Sequence, residues 1–251
     1  MTESAVIVDN VSVAFRMYRE RNNSFKTAVL RGRRSIHEDF VALQDVSLEI
    51  PVGSTFAIIG RNGAGKSTLL KCMARILYPD RGRITINGKM ASMLELGSGF
   101  HPELSGRENV YLNASILGMS RKAVAAKFDE IVDFAGVGKF IDQPIKNYSS
   151  GMYVRLGFSV AINVNPDILV VDEILAVGDA SFREKSRAKF EELKAAGKTV
   201  VMVSHSLKNV MEMCDTAAWI DSGRVVSVGD AREVAETYLA SAEDGDNTQR
   251  R

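Results

Sequence analysis

The segment IIGRNGAGKSTLL at residues 58–70 constrains the fold of this chain more than any other. Gly60, Gly65, Lys66 and Ser67 have the spacing G-x-x-x-x-G-K-S, with an apolar run before them and a helix-like run after them. Glycines at this spacing let backbone N–H groups surround a phosphate, and the positive end of the following helix points at it. The segment therefore predicts a strand, a phosphate-binding loop and a helix. A glycine-rich turn without a ligand is the alternative, and the apolar and helical flanks argue against it.

Two apolar runs later in the chain end in residues that suit the same chemistry. Asp172 and Glu173 follow the run ILVV, and His205 follows TVVMVS. Lys66 would contact the β- and γ-phosphates of a nucleotide, while Ser67 and Asp172 would hold Mg²⁺. Glu173 would act as general base toward the attacking water, and His205 would stabilise charge on the γ-phosphate. Polar side chains that simply face solvent at strand ends are the alternative reading.

Alternation of apolar strand-like runs with helix-like runs predicts an α/β fold with a parallel sheet covered on both faces. The stretch from residue 95 to residue 164 is different, because it is mostly helix-like. Within it, SGRE at residues 105–108 predicts a capping box that begins a helix closed by Gly118. A second helix is predicted from Arg121 to Ala135, closed by Gly136.

The segment NYSSGMYVRL at residues 147–156 predicts a helix start with an unusual glycine. Ser149 and Ser150 can act as N-cap, since their hydroxyl oxygens accept hydrogen bonds from backbone N–H groups of a first turn. Gly151 lies inside that turn, where glycine costs about 1 kcal/mol relative to alanine. A bare helix start is an anion site, so we expect a phosphate to approach this backbone closely.

The composition limits the classes of protein to which the chain can belong. With 251 residues, 45% of them hydrophobic, it suffices for one large α/β domain or for two small domains. A net charge of +1 predicts no nucleic-acid partner, and Cys72 and Cys214 are expected to be reduced thiols of a cytosolic protein. We expect neither a signal peptide nor a membrane span, and a polar, disordered tail at residues 243–251.

In this order the segments resemble the nucleotide-binding subunits of ABC transporters, over nearly the whole chain. The resemblance implies an α/β fold with a P-loop NTPase core of the RecA type, an antiparallel β subdomain and a helical insertion subdomain. The helical subdomain would occupy about residues 100–164 of a single nucleotide-binding domain at residues 1–242.

The resemblance also implies a nucleotide site shared between two copies of the chain. Phe15 would stack on adenine, with Tyr18 as the competing residue. The position of the family's Mg²⁺-contacting glutamine falls on Glu95 or on Leu96, of which only Glu95 supplies an oxygen ligand. The complete set of residues implied to bind nucleotide is Phe15, Gly60, Arg61, Asn62, Gly63, Ala64, Gly65, Lys66, Ser67, Thr68, Ser149, Ser150, Gly151, Met152 and Asp179.

The implied assembly is a head-to-tail homodimer that holds two ATP molecules and Mg²⁺ between its subunits. Ser149 and Gly151 of one copy would contact the γ-phosphate held by the other, and Asp179 would lie in the loop that crosses the dimer. The dimer would sit at the cytoplasmic face of the membrane and drive two copies of an integral-membrane permease by ATP hydrolysis.

At four places the sequence departs from the commonest ABC pattern. There it resembles the ATPase subunits that export lipid-linked polysaccharides such as O-antigen, capsule, teichoic acid and cell-wall galactan. The departures are Arg61 in place of proline, Ser150 in place of glycine, Met152 in place of glutamine, and ILAVGD at residues 174–179. An importer ATPase, or an ABC ATPase without a transport role, is the alternative.

The basic segment at residues 16–34 fits no part of this pattern. It contains seven lysine and arginine side chains against one acidic side chain, Glu20. A solvated insertion is one interpretation. Contact with an anionic membrane surface or with a pyrophosphate-linked lipid head group is the other, since each Lys or Arg near anionic lipid contributes about 1 kcal/mol.

Overall fold

A computed structural model describes residues 3–18, 37–94, 99–171, 179–204 and 206–249 of the chain. At residues 18, 37 and 242–249 it describes the backbone alone.

The described strands form two sheets. The first is antiparallel, has the order β2-β1-β4, and consists of β1 (Ser4–Tyr18), β2 (His37–Pro51) and β4 (Arg81–Ile86). The second has the order β5-β6-β7-β3-β8-β9 and consists of β3 (Thr55–Ile59), β5 (Met90–Ser92), β6 (Ile168–Val171), β7 (Thr199–Val203), β8 (Thr216–Asp221) and β9 (Arg224–Asp230). From β5 to β8 the strands of the second sheet are parallel, and β9 joins its edge antiparallel to β8.

The central strands of the second sheet are buried along their whole length, as a parallel sheet covered on both faces requires. Every residue of β3, β6 and β7 is buried. These strands are continuous apolar runs, so neither face offers the polar alternation of a solvated sheet. The predicted parallel sheet is confirmed.

Seven α-helices accompany the sheets in the described residues. They are α1 (Lys66–Met73), α2 (Gly106–Ile116), α3 (Arg121–Ala135), α4 (Ser150–Asn163), α5 (Ala180–Ala195), α6 (Leu207–Met213) and α7 (Ala231–Gln249). Helix α1 packs in a core that also contains side chains of both sheets: Leu70 of α1 shares it with Ile50 of the first sheet and Ile58 of the second. The opposite face of the parallel sheet is covered by side chains of α4, α5, α6 and α7.

Helices α2, α3 and α4 share a separate apolar core, in which Val110, Ile131 and Leu156 are fully buried.

The capping box that SGRE predicts begins α2. The Ser105 hydroxyl oxygen accepts from the Glu108 backbone N–H at 3.2 Å, and the Glu108 carboxylate accepts from the Ser105 N–H at 2.8 Å. Hydrogen bonds from the Ser105 hydroxyl and backbone hold the pKa of Glu108 below its ordinary value. Gly136, at φ 65°, caps α3 as predicted.

The backbone near the C-terminus differs from the prediction of a disordered tail. Helix α7 continues to Gln249 instead of ending before residue 243. Its first turns are anchored by buried Ala231, Val234 and Ala235. Extending an established helix costs far less than nucleating one, so poorly helix-forming residues can follow it. The polar composition of the tail carries no information about these buried first turns, so it could not predict that the helix continues.

Candidate functional site

Three neighbouring parallel strands place their carboxyl ends at one edge of the sheet. Strand β7 pairs with both β3 and β6, and the three strands end at Ile59, Val171 and Val203. Ligand sites of open α/β sheets lie outside such carboxyl ends. The glycine-rich loop at residues 60–65 follows β3 here, as the sequence predicts.

Five residues predicted for the site lie outside the described residues, namely Glu95, Leu96, Asp172, Glu173 and His205. Residues 174–178 of the ILAVGD segment also lie outside them. The described strands β6 and β7 end one residue before Asp172 and two residues before His205. The roles of these five residues stay predictions.

The Lys66 side chain is buried and holds the loop that precedes it. Its ammonium donates hydrogen bonds to the carbonyl oxygens of Gly60 at 2.7 Å and Arg61 at 2.9 Å. Helix α1 begins at Lys66, and its N-cap is Gly65, so no side chain caps the first turn. The loop and the helix start therefore present a cation and backbone N–H groups together, which is what a phosphate requires.

Two glycines of the loop are dictated by the surrounding backbone. A Cβ on Gly60 would overlap the carbonyl oxygen of Ile220, and a Cβ on Gly65 would lie 2.5 Å from that of Ala42. Both also have positive φ, 147° and 106°. The Gly223 N–H further donates to the Ala64 carbonyl at 2.9 Å, so β2 and the β8–β9 turn fix the loop from outside.

A cavity of about 330 Å³ lies over this loop. Its volume is within the range of small-ligand sites. It is lined by Phe15, Phe40, Ala42, Asn62, Gly63, Gly65, Lys66, Ser67, Thr68 and Val203. The predicted residues Gly60, Arg61 and Ala64 do not line the cavity and contribute loop backbone instead.

Phe15 lines the cavity as expected for a nucleobase contact, and it is joined there by Phe40. The two residues are cross-strand partners of β1 and β2, and they are 41% and 46% exposed. The sequence reasoning missed Phe40 because it lies 25 positions after Phe15. The signal that would have found it is the pairing register of a β1–β2 hairpin. The side chain of Tyr18, the competing residue, lies outside the described atoms.

Pairing on the opposite face of this hairpin involves Arg16, the first residue of the basic segment. Its guanidinium Nε lies 3.4 Å from the Asp39 carboxylate on β2, and both side chains are more than half exposed. Residues 19–34 of the segment lie outside the described residues.

The turn at residues 149–152 begins α4, and Ser149 is its N-cap. The Ser149 hydroxyl oxygen accepts from the Met152 N–H at 3.2 Å, while Ser150 is the first helical residue. The nearest atom to a Cβ on Gly151 would be the Ser149 hydroxyl oxygen, at 3.9 Å. The predicted cap is confirmed, and Gly151 presents open backbone beside it.

This turn does not line the cavity of its own chain, and neither does Asp179. Asp179 is the N-cap of α5, and its carboxylate accepts from the Phe182 N–H at 2.9 Å and from the Arg155 guanidinium at 3.2 Å. The resemblance assigns the loop, the turn at residues 149–152 and Asp179 to one kind of nucleotide site. In the single chain the loop lines the cavity, whereas the turn and Asp179 lie outside it.

The two thiols are poor nucleophiles at neutral pH. Burial in the core behind α1 raises the pKa of Cys72 to about 11, and burial raises that of Cys214 to about 12. Both cysteines are free, as predicted.

Comparison with known proteins agrees with this geometry. The family model described as ABC transporter matches residues 43–176. The O-antigen export system ATP-binding protein RfbB of Myxococcus xanthus is 49% identical over 93% of this chain, which corresponds to 55% of that protein. The protein of the same name from Klebsiella pneumoniae is 43% identical over 94% of this chain and 98% of its own length. The teichoic acids export ATP-binding protein TagH of Shouchella clausii is 40% identical over 93% of this chain and 64% of its own length.

Solved structures share the fold. An ATP-binding subunit of an ABC transporter superposes with a TM-score of 0.75 at 21% identity, over 94% of this chain and 93% of that one. A dimeric ATP-binding cassette bound to ADP and Pi gives 0.72 at 22% identity, over 90% of this chain and 99% of that one. The predicted fold class is confirmed. The loop, the helix start and the matches over most of the sequence lead to one conclusion: this chain belongs to the ABC transporter family, as one of its nucleotide-binding ATPase subunits.

Proposed function

We propose that this chain is the ATP-hydrolysing subunit of an exporter that moves a lipid-linked polysaccharide across the cytoplasmic membrane. The cargo would be of the O-antigen, teichoic acid or cell-wall galactan type. The observation that carries this proposal is the match to the O-antigen export protein of Klebsiella pneumoniae, which spans 94% of this chain and 98% of that protein at 43% identity. Relatives named for teichoic acid export align over a similar share of the chain.

ATP would bind in the cavity above the loop, with its base at the Phe15 and Phe40 end. Its phosphates would lie on the loop and the start of α1, where Lys66 and backbone N–H groups converge. The lining supports this orientation, because one cavity combines the aromatic side chains of β1 and β2 with Lys66 at the start of α1.

The residues present fit Mg²⁺ as the companion of ATP. The exposed Ser67 lines the cavity beside Lys66, and its hydroxyl oxygen is a suitable ligand for Mg²⁺. Asp172 and Glu95 would supply further oxygen ligands. When bound, the ion neutralises negative charge on the β- and γ-phosphates.

Hydrolysis would take place in a head-to-tail homodimer. Glu173 would orient the attacking water and accept its proton, and His205 would hydrogen-bond the γ-phosphate. The open backbone at Gly151 of a second copy would close over the same phosphate. This proposal is supported by the open backbone at Gly151 in the turn at residues 149–152, which does not line the cavity of its own chain.

The permease, in two copies at the cytoplasmic face, would dock in a groove of about 460 Å³ between the parallel sheet and the helical region. Apolar Met73, Ile76, Met90, Ile116 and Leu117 line it. Ile76 and Ile116 are exposed, and grouped exposed apolar side chains mark interaction sites. Gly157 and Ala161 of α4 form one wall, so an occupant would touch the helix that carries the Ser149–Met152 turn. None of the described helices is both long and apolar enough to span a membrane.

The proposal is tested by replacing the general base. Glu173→Gln should slow hydrolysis by about a hundredfold or more, and it should trap an ATP-dependent dimer on size-exclusion chromatography. Glu184→Gln, at an exposed position of α5, is the matched control. Wild-type turnover in Glu173→Gln would remove Glu173 as the base.

The cargo is tested separately, in cells depleted of the chain. A lipid-linked polysaccharide should accumulate on the cytoplasmic side of the membrane. Normal surface polysaccharide in those cells would contradict the export role while leaving the ATPase assignment intact.

A further inference from the structure

The carboxylate of Asp179 is held within its own chain through both of its oxygens. Oδ1 accepts from the Phe182 N–H at 2.9 Å, and Oδ2 accepts from Nη1 of Arg155 at 3.2 Å. Arg155 lies on α4, four residues after Gly151 and therefore on the same side of the helix. The ion pair thus joins α4, which carries the Ser149–Met152 turn, to Asp179, the N-cap of α5.

The setting of Arg155 differs from that of an ordinary surface ion pair. Its side chain is 23% exposed, against 61% for Asp179. Its Nε atom is buried and has no hydrogen-bond partner among the described residues. Burying an unpaired N–H is costly and exposed ion pairs contribute little, so folding stability alone does not account for an arginine here.

Apolar contacts already hold α4 and α5 together without this pair. The rings of Phe158 on α4 and Phe182 on α5 meet edge to face with centroids 5.4 Å apart, and Phe134 on α3 lies 5.5 Å from Phe182. Edge-to-face rings have a preferred geometry, but the apolar burial that drives this packing is not directional, whereas a charge-assisted hydrogen bond fixes the orientation of the groups it joins. Arg155 therefore adds alignment to a junction that is already packed.

We propose that Arg155 is a positioning residue that aligns the Ser149–Met152 turn with Asp179, so that both reach the nucleotide of a second copy together. Arg155 itself touches no nucleotide. The inference rests on the proposed function, because it needs the head-to-tail dimer. Neither Arg155 nor Asp179 lines the cavity over the loop, so binding of ATP to a single chain is independent of the pair.

The test compares three variants of the full chain. Arg155→Met removes the charge, Arg155→Lys keeps the charge without the planar fork, and Asp179→Asn keeps an oxygen for the α5 cap while removing its charge. Asp142→Asn is the matched control, since Asp142 pairs with Arg107 at 2.7 Å elsewhere in the helical region. For each variant we would measure kcat and KM for ATP, affinity for a fluorescent ATP analogue, and melting temperature.

Misalignment in the dimer predicts a loss of kcat of about tenfold or more in Arg155→Met, with KM and analogue affinity within about twofold of wild type. Arg155→Lys should recover part of kcat. The double variant Arg155→Met/Asp179→Asn should lose no more than the worse single variant, because both changes break the same contact.

Two outcomes would overturn the inference. One is additive losses in the double variant, and the other is a kcat in Arg155→Met that falls only as much as in Asp142→Asn. A wild-type chain that neither hydrolyses ATP nor dimerises with it would instead overturn the proposed function, and this inference with it.

Discussion

Phe15 on β1 faces Phe40 on β2 as a cross-strand pair above the phosphate-binding loop, and both rings line the same cavity. Cross-strand neighbours lie within contact distance on one face of a sheet, so the two rings can share one flat ligand. Large aromatic groups that stay more than 40% exposed gain little from folding. A nucleobase would cover them.

Phe40→Ala should weaken ATP binding by roughly 1–3 kcal/mol, the usual loss when an aromatic platform for a base is removed. Stacking does not discriminate between bases, so affinity for GTP should fall by the same factor. Equilibrium binding of both nucleotides measures this. Phe140→Ala is the control, because Phe140 is 50% exposed and does not line the cavity. Unchanged ATP affinity in Phe40→Ala would remove Phe40 from the site.

Lys66→Met should lower ATP affinity by about tenfold or more, since charge-assisted hydrogen bonds contribute about 1.5–3 kcal/mol each. The change also removes the hydrogen bonds to the Gly60 and Arg61 carbonyls that hold the loop. Lys71→Met, at an exposed position in the last turn of the same helix, should bind ATP normally. Calorimetric titration with ATP measures the affinity of both variants. Equal affinities would contradict the assignment of residues 60–67 as the phosphate-binding loop.

Gly151→Ala should separate stability from activity. Alanine favours a helix over glycine by up to about 1 kcal/mol, and open space surrounds this position, so the melting temperature should stay or rise. ATP hydrolysis and ATP-dependent dimerisation should fall, because a methyl group would stand where a phosphate approaches. In Ser149→Ala the loss of the cap should lower stability by about 1 kcal/mol. Full hydrolysis by Gly151→Ala would exclude close contact at this backbone.

Two glycines of the loop should respond differently to alanine. Gly63→Ala places a methyl group in open space at φ 79°, so it should cost about 1–2 kcal/mol of unfolding free energy for the left-handed backbone alone. Gly60→Ala adds the overlap with the Ile220 carbonyl, which should cost about 1–3 kcal/mol more. Urea unfolding measures the difference, and equal losses would show that the β8 backbone can move aside.

The thiols should resist alkylation in the native chain. Because only the thiolate reacts, raising the pKa from 9.0 to about 11 at Cys72 and about 12 at Cys214 lowers the reactive fraction at pH 8. The native rate with iodoacetamide should be lower than the rate in urea by at least about a hundredfold. It should rise as the pH approaches these pKa values. Alkylation of either thiol at the unfolded rate at pH 8 would contradict its burial.

Local chemistry in this chain could be read without a structure because it depends on neighbours in sequence. The loop glycines with Lys66, the capping box at Ser105 and Glu108, and the helix stop at Gly136 each involve residues a few positions apart. Backbone conformation and hydrogen bonding over such short separations follow from residue type. The α/β class followed from apolar strands that alternate with helices.

Tertiary structure decided which distant residues meet. Phe40 reaches the cavity through the register of a hairpin, Asp179 is bound by Arg155 across a helix junction, and Gly60 is required by the backbone of Ile220. These contacts join residues that are 24 to 160 positions apart, and no periodicity or motif spacing encodes such pairings. They follow from how sheets and helices pack, so the sequence by itself determined the parts of the site, and the packed fold determined how those parts are aligned.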